Sequence, residues 1–161
     1  GECFMATLIS TAIIRDVVLN AITGRTNGGS INNNNGYAYL ALSSTTPSYT
    51  SNGEITGITE PTGQGYARKL IGHNAEPSTL LMTTAASGRV QNAEEIHFDQ
   101  ATEASNGGTG WGNPMTHYAI YTSKTGGSPV LAGELTTPIT VGAGYVVIIK
   151  KGELVISMNN N

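Results

Sequence analysis

The sequence predicts a mainly β protein, an antiparallel β-sandwich of about eight strands preceded by one N-terminal α-helix. Three observations lead there. Helical spacing of apolar residues occurs at the start of the chain, and short runs with period-two alternation follow it. Those runs are separated by turn formers, with 21 glycines and 6 prolines among 161 residues. Charged residues make up 12% of the chain, about half the usual ~25%. Ser, Thr, Asn and Gly must therefore cover much of the surface, which suits strands and turns.

Taken in order, residues 1–6 are expected to be a flexible extension, because Met5-Ala6-Thr7 resembles a natural start. Cys3, the single cysteine, reads as a free terminal thiol or as a crosslink between subunits. The segment "TLISTAIIRDVVLNAIT" gives a helix, with the helical unit spanning residues 7–24 and Gly24 as its left-handed cap. Leu8, Ala12, Leu19 and Ile22 form one stripe, and Ile9, Ile13, Val17 and Ala21 the adjoining one. Ile14 and Val18 widen the apolar arc, so the helix should be buried on more than one side. One stripe suffices for docking on the body. Leu8, Ile9, Ile13 and Val17 are accordingly expected at a contact between subunits.

The body should occupy residues 25–161 of what reads as one domain. An Asn-rich loop at 24–36 leads into "YAYLALSSTTP", where Tyr37, Tyr39 and Ala41 alternate with Ala38, Leu40 and Leu42 until Pro47. A long polar connection (48–65) precedes the short strand "YARKLIG", and 79–83 is a further candidate strand. In "EEIHFDQAT", Ile96 and Phe98 alternate with His97 and Asp99, as in a half-buried strand. The strands "MTHYAIYT" and "PVLAGELT" are joined by a turn at Thr125-Gly126-Gly127. "GYVVIIK" is expected to pair with "ELVISMN" across Lys151-Gly152.

In "MTHYAIYT", Met115, His117, Ala119 and Tyr121 should face one way and Thr116, Tyr118, Ile120 and Thr122 the other. Both sets contain apolar or aromatic residues, which predicts an interior strand. His117 should then make a structural hydrogen bond across the sheet. Trp111 should cap the core, its indole N–H reaching a turn carbonyl.

The same residues argue against chemistry. A net charge of -3 and a pI near 5.5 disfavour nucleic-acid binding. The basic pairs Arg68-Lys69 and Lys150-Lys151 read as solvated edges or turns. The most apolar stretch, residues 8–22, carries Arg15 and Asp16 at its centre, so no membrane span is expected. His73, His97 and His117 lack the ligand spacing of metal motifs, and Glu95, His97 and Asp99 fit the wet side of a strand. There is no Gly-x-Ser-x-Gly elbow, and "GTGWG" lacks the Lys and following helix of a phosphate loop. The expectation is a protein without enzymatic activity, cofactor, metal, nucleic-acid partner or membrane partner.

The order of segments resembles a family of small structural proteins of tailed bacteriophages, labelled tail-fibre or capsid-fibre-like. The resemblance covers residues 8–158. It rests most on Trp111-Gly112, then "THYAIY", then Gly126-Gly127, with "YLALSSTTP" next. The core motif it marks is Trp111, His117, Tyr118, Ile120, Gly126 and Gly127. The resemblance implies a virion component without enzymatic activity. Two departures, the Asn-rich loop and Gly144-Tyr145 where an acidic residue is more usual, alter surface and hence partner choice.

The leading reading is a capsid decoration or cement-type protein on the outer surface of the phage particle. It would be a symmetric homo-oligomer bound to the major capsid protein or to tail proteins. The alternative is a tail or tail-fibre structural component; the family label is attached to head and tail proteins alike. A third reading is a carbohydrate-binding sandwich. It would need an exposed aromatic platform, for which Tyr37, Tyr39, Tyr49 and Tyr145 are the candidates.

Overall fold

The computed structural model describes residues 11–25, 36–102 and 110–158, with side chains from residue 15 onward in the helix. Cys3, Leu8, Ile9 and most of the Asn-rich loop lie outside the described residues, as does the side chain of Ile13. The elements are α1 (Thr11–Ile22), β1 (Tyr37–Ser43), β2 (Ser48–Tyr49), β3 (Ile55–Thr56), β4 (Lys69–His73) and β5 (Arg89–Gln91). They continue with β6 (Ile96–His97), β7 (Met115–Tyr121), β8 (Leu131–Ile139), β9 (Ile148–Ile149) and β10 (Val155–Ser157). All strand pairings are antiparallel. The protein is a β-sandwich with one N-terminal helix, as the alternation predicts. Among the described residues there are ten strands, two of them in a small β2–β3 hairpin within the polar connection after Pro47.

One layer is a four-stranded sheet in the order β4-β1-β7-β8. Its inner face contributes Ala38, Leu40, Leu42, Tyr118 and Ile120 to the main core. The opposing layer is broken into two short ladders, β5–β10 and β6–β9. They supply Val90, Ile156, Ile96 and Ile149 to the same core, and α1 adds Leu19 and Ile22. The outer face of the sheet is also covered: Ala41, Ala119 and Tyr121 are buried there beneath Tyr39, Ile58 and Ala132. Strand β7 is therefore interior on both faces. Met115 differs from expectation. The register slips between Met115 and His117, whose partners on β8 are Ile139 and Glu134. That slip turns Met115 into the main core alongside Ile120.

The helix ends as its sequence predicts. Gly24 has φ +75°, and the N–H groups of Gly24 and Arg25 reach the carbonyls of Ala21 (3.2 Å) and Asn20 (2.8 Å). This is the paired closure of a glycine-capped helix. A side chain on Gly24 would strike the Gly72 carbonyl, and one on Gly72 would strike that of Thr23. The helix terminus thus lies directly on the backbone of β4, a contact only two glycines permit.

Two expected strand assignments are corrected. Residues Pro77–Thr79 form a 3-10 turn, and Met82 makes only an isolated bridge to Asn92. The Thr79 hydroxyl donates to the Glu76 carbonyl (2.7 Å), which favours a turn over a ladder at this point. The terminal hairpin is not self-paired either: β9 pairs with β6 and β10 with β5. The cause is Asn92, fully buried between them. Its Nδ2 donates to the carbonyls of Lys150 and Glu94 (both 2.8 Å), and its Oδ1 accepts from the Leu154 N–H (2.9 Å). Its main chain bonds Leu154 and Gly152 as well. One side-chain amide occupies the position of the cross-strand bonds and splays the two arms onto separate partners.

Replacing Asn92 with Ala would leave the buried Leu154 N–H unpaired and remove the bonds to the part-buried carbonyls of Lys150 and Glu94, at about 1–3 kcal/mol for a buried group. We expect urea melts to show a loss of about 2 kcal/mol or more; a change below about 0.5 kcal/mol, the surface range, would contradict the assignment.

Candidate functional site

Of the core motif, Trp111, Tyr118 and Ile120 share the main core, while His117 lies on the outer face and Gly126 and Gly127 in an exposed loop. Trp111 is buried edge-on against Tyr66 (5.1 Å between centroids, 88°) and Phe98 (5.8 Å, 74°). Its main-chain N–H donates to the Val141 carbonyl (3.0 Å). Its indole N–H, however, has no partner among the described residues. The expected turn carbonyl is not found there; the rings of Tyr66 and Phe98 pack against the indole instead. Tyr118 lies over Gly133, its cross-strand partner, where any side chain would collide with the ring. His117 is on the outer face and does not bond across the sheet. Its Nδ1 is 2.8 Å from the hydroxyl of neighbouring Thr116. The strand neighbours of His117 account for this. Ser43 on β1 is engaged with Thr45 and Thr59, and Glu134 on β8 faces solvent.

Arg68 was expected to be solvated, and the structure reverses that. Its side chain is only 7% exposed and makes a 2.7 Å ion pair with Glu60. The Arg68 Nε also donates to both Glu60 oxygens (3.0 and 3.1 Å). Nη1 donates to the carbonyls of Ser123 (3.0 Å) and Gly126 (2.7 Å), in the loop carrying Gly126 and Gly127 at positive φ. The guanidinium carbon sits 3.3 Å above the Tyr121 ring, a stacking that Lys would not reproduce. The Tyr66 hydroxyl donates to Glu60 (2.7 Å) and accepts from the Leu42 N–H (3.0 Å). Burial first, then the Glu60 carboxylate, push the Tyr66 phenol far above the ordinary tyrosine value. Burial raises Tyr118 and Tyr121 as well.

Three surfaces face outward. The first is on α1, where Leu19 and Ile22 are buried while Val17 is 58% exposed. The helix is fixed by Asn20, which accepts from the Ala85 N–H (2.8 Å), and by Asp16, which accepts from Gly88 (2.6 Å). Val17 is thus the described member of the expected subunit contact, pointing away from the body. The second surface is a groove of about 600 Å³ between β8 and residues 145–149. Leu135, Ile139, Val146 and Ile148 line it, with Glu153 its one charged residue. Tyr145, 70% exposed, stands at its border. Sequence reasoning missed this groove. The signal was "VVII" (146–149), four apolar residues in a strand where two would fill one buried face. Val147 and Ile149 point in, leaving Val146 and Ile148 out. The third is a recess of about 200 Å³ between the β2–β3 hairpin and the outer face of β7 and β8. Tyr49 and Tyr145 stand on different surfaces, and Tyr37 stacks on His73 at 3.8 Å, so the four tyrosines do not form one platform.

On the side of β6, His97 and Asp99 are exposed while Ile96 and Phe98 are buried. His97 Nε2 lies 2.9 Å from Glu95.

Comparison with known families gives one finding: the family model described as podophage GP4 fiber I protein gp80 matches residues 14–157. No curated protein matches the chain.

Two outcomes follow from the Arg68 network. Glu60→Ala should cost about 3–5 kcal/mol, the range for stranding one buried charge, and the double change Glu60→Leu with Arg68→Met should cost less than that single change. Urea melts of the two variants beside the unaltered protein decide it. Second, the raised tyrosines bind their protons more tightly in the folded state. Their contribution to stability is complete below the unfolded value of 10.0 and lost as pH rises toward the folded values. The tyrosinate absorbance of Tyr66, Tyr118 and Tyr121, read as the part lost when each is replaced by Phe, should therefore appear together with unfolding rather than before it.

Proposed function

The chain belongs to the family of the podophage GP4 fiber I protein gp80, and on that premise we propose that it is a structural subunit of a fibre on the phage particle, without enzymatic activity, that assembles with copies of itself. The observation that carries this reading is the extent of the match, residues 14–157. The family description is of a fibre protein, and it supports the tail-fibre alternative over capsid decoration. The match makes the chain a phage structural protein of fibre type; its place on the particle surface and its partners are the proposal.

The groove between β8 and residues 145–149 supports the self-assembly part. Among the described residues, strand β8 is the edge of its sheet and β9 pairs only with β6. Exposed strand edges with apolar side chains are surfaces that proteins ordinarily cover. Val146 and Ile148 are exposed on the groove, and Glu153 alone brings charge. A second copy can meet such a surface without opposing like charges in bulk. The contact would be little affected by salt.

Two measurements test this. Particles carrying labelled protein should show the label on fibres, and a label on the capsid lattice would favour decoration instead. Ile148→Lys should place an unpaired charge in the subunit contact and dissociate the oligomer, with circular dichroism unchanged. Light scattering that still reported the full assembly would remove the groove from the contact.

A further inference from the structure

We propose that the recess between the β2–β3 hairpin and the sheet binds one neutral saccharide ring, with Tyr49 stacking on it and His117 and Glu134 holding adjacent hydroxyls. The proposal stands on the geometry of this recess and is independent of the fibre reading.

The recess is built on stable elements. His117 and Glu134 are direct partners on β7 and β8, which sets their Cβ atoms roughly 5 Å apart on one face. Ala132 and Gly133 line the recess beside them, with Pro47, Ser48, Tyr49 and Ile55 contributed by the hairpin side. The hairpin is held by Thr50 N–H to Glu54 O (2.9 Å) and, at its base, by Ser44 N–H to Thr59 O and Thr59 N–H to Ser43 Oγ (both 3.0 Å). A ligand would therefore meet walls already in place, which reduces the ordering cost of binding.

The chemistry of the lining selects the ligand. A volume of about 200 Å³ accepts a single ring and no extended chain. Tyr49 is 77% exposed among the described residues, a large apolar face with a polar tip. Nδ1 of His117 is 2.8 Å from the Thr116 hydroxyl, so Nε2 is the ring nitrogen left for a ligand. Nε2 donates or accepts according to the tautomer, and the Glu134 carboxylate beside it accepts only. Neither group has another partner among the described residues. Side by side they match two neighbouring hydroxyls, because each hydroxyl can donate as well as accept. Apolar contact from Ala132, Pro47 and Ile55 suits the C–H face of a pyranose. An anionic ligand is disfavoured, because Glu134 carries the only full charge and no Lys or Arg lines the recess.

The test is a ¹⁵N NMR titration of the full chain with the methyl glycosides of glucose, galactose and mannose, and with N-acetylglucosamine. At the ligand efficiency of ordinary small molecules, one ring should bind with a dissociation constant on the order of 1–10 mM. Saturable shifts should map to Tyr49, His117, Ala132 and Glu134 for at least one probe. Tyr49→Ala and Glu134→Gln, both at exposed side chains, should each weaken binding by about tenfold. Tyr145→Ala, on a different surface, should leave it unchanged. Absence of a saturable shift for every probe up to about 50 mM, well above that range, would overturn the proposal. So would shifts that map elsewhere or survive both variants.

Discussion

A guanidinium out of water must be answered by other groups, and much of the outer half of this protein is arranged around Arg68. Glu60 supplies the opposite charge, the Ser123 and Gly126 carbonyls take further protons, and Tyr121 provides a ring beneath the plane. These partners come from three places in the chain. Satisfying one charge therefore fixes the 58–68 segment and the β7–β8 loop against the same sheet. Tyr66 extends the arrangement inward, linking Glu60 to the backbone of β1. With Ile58 held over Ala41 and Ala119, both faces of the central strands are dry. The partial solvent exposure of Glu60 and the multiple hydrogen bonds limit the desolvation cost of burying such a pair.

Asn92 plays the corresponding part in the opposing layer. A sandwich needs two covered faces, but the chain from 89 to 98 and from 145 to 158 is too irregular to make a second continuous sheet. Asn92 closes the turn at 150–154 with its own amide and leaves β9 and β10 free to pair with β6 and β5. The core is then filled by alternate residues of four short strands. The other alternates, Val146 and Ile148 among them, must point outward.

What was legible in the sequence was local. The alternation in "YAYLAL" and "THYAIY" marks the two central strands because both of their faces are apolar, and Gly24 marks the helix end because only glycine is comfortable at that backbone angle. The family was legible as well, through the order of Trp111, "THYAIY" and Gly126-Gly127. What was hidden depends on residues far apart in the chain. Nothing near "ARKL" signals that Arg68 will be buried, since its partners lie at 60, 121, 123 and 126. The pairing of β9 and β10 is redirected by a residue about sixty positions away, while the local pattern favours a hairpin. Of the expected subunit contact, Val17 is placed facing outward. The recess beside His117 had no sequence signal, because it exists only once the β2–β3 hairpin lies near β8.

A body with its loops pinned and its core closed has little internal freedom, and that suits a part repeated along a fibre. Each contact between copies can be modest when many act together. The central claim is that the groove between β8 and residues 145–149 is where copies meet. Hydrogen–deuterium exchange of the purified chain, dissociated by dilution and then assembled in intact particles, tests it most directly. Amides of 134–139 and 145–149 should become protected on assembly while those of the β2–β3 hairpin keep their rates. Unchanged exchange at the groove, with new protection elsewhere, would contradict the account.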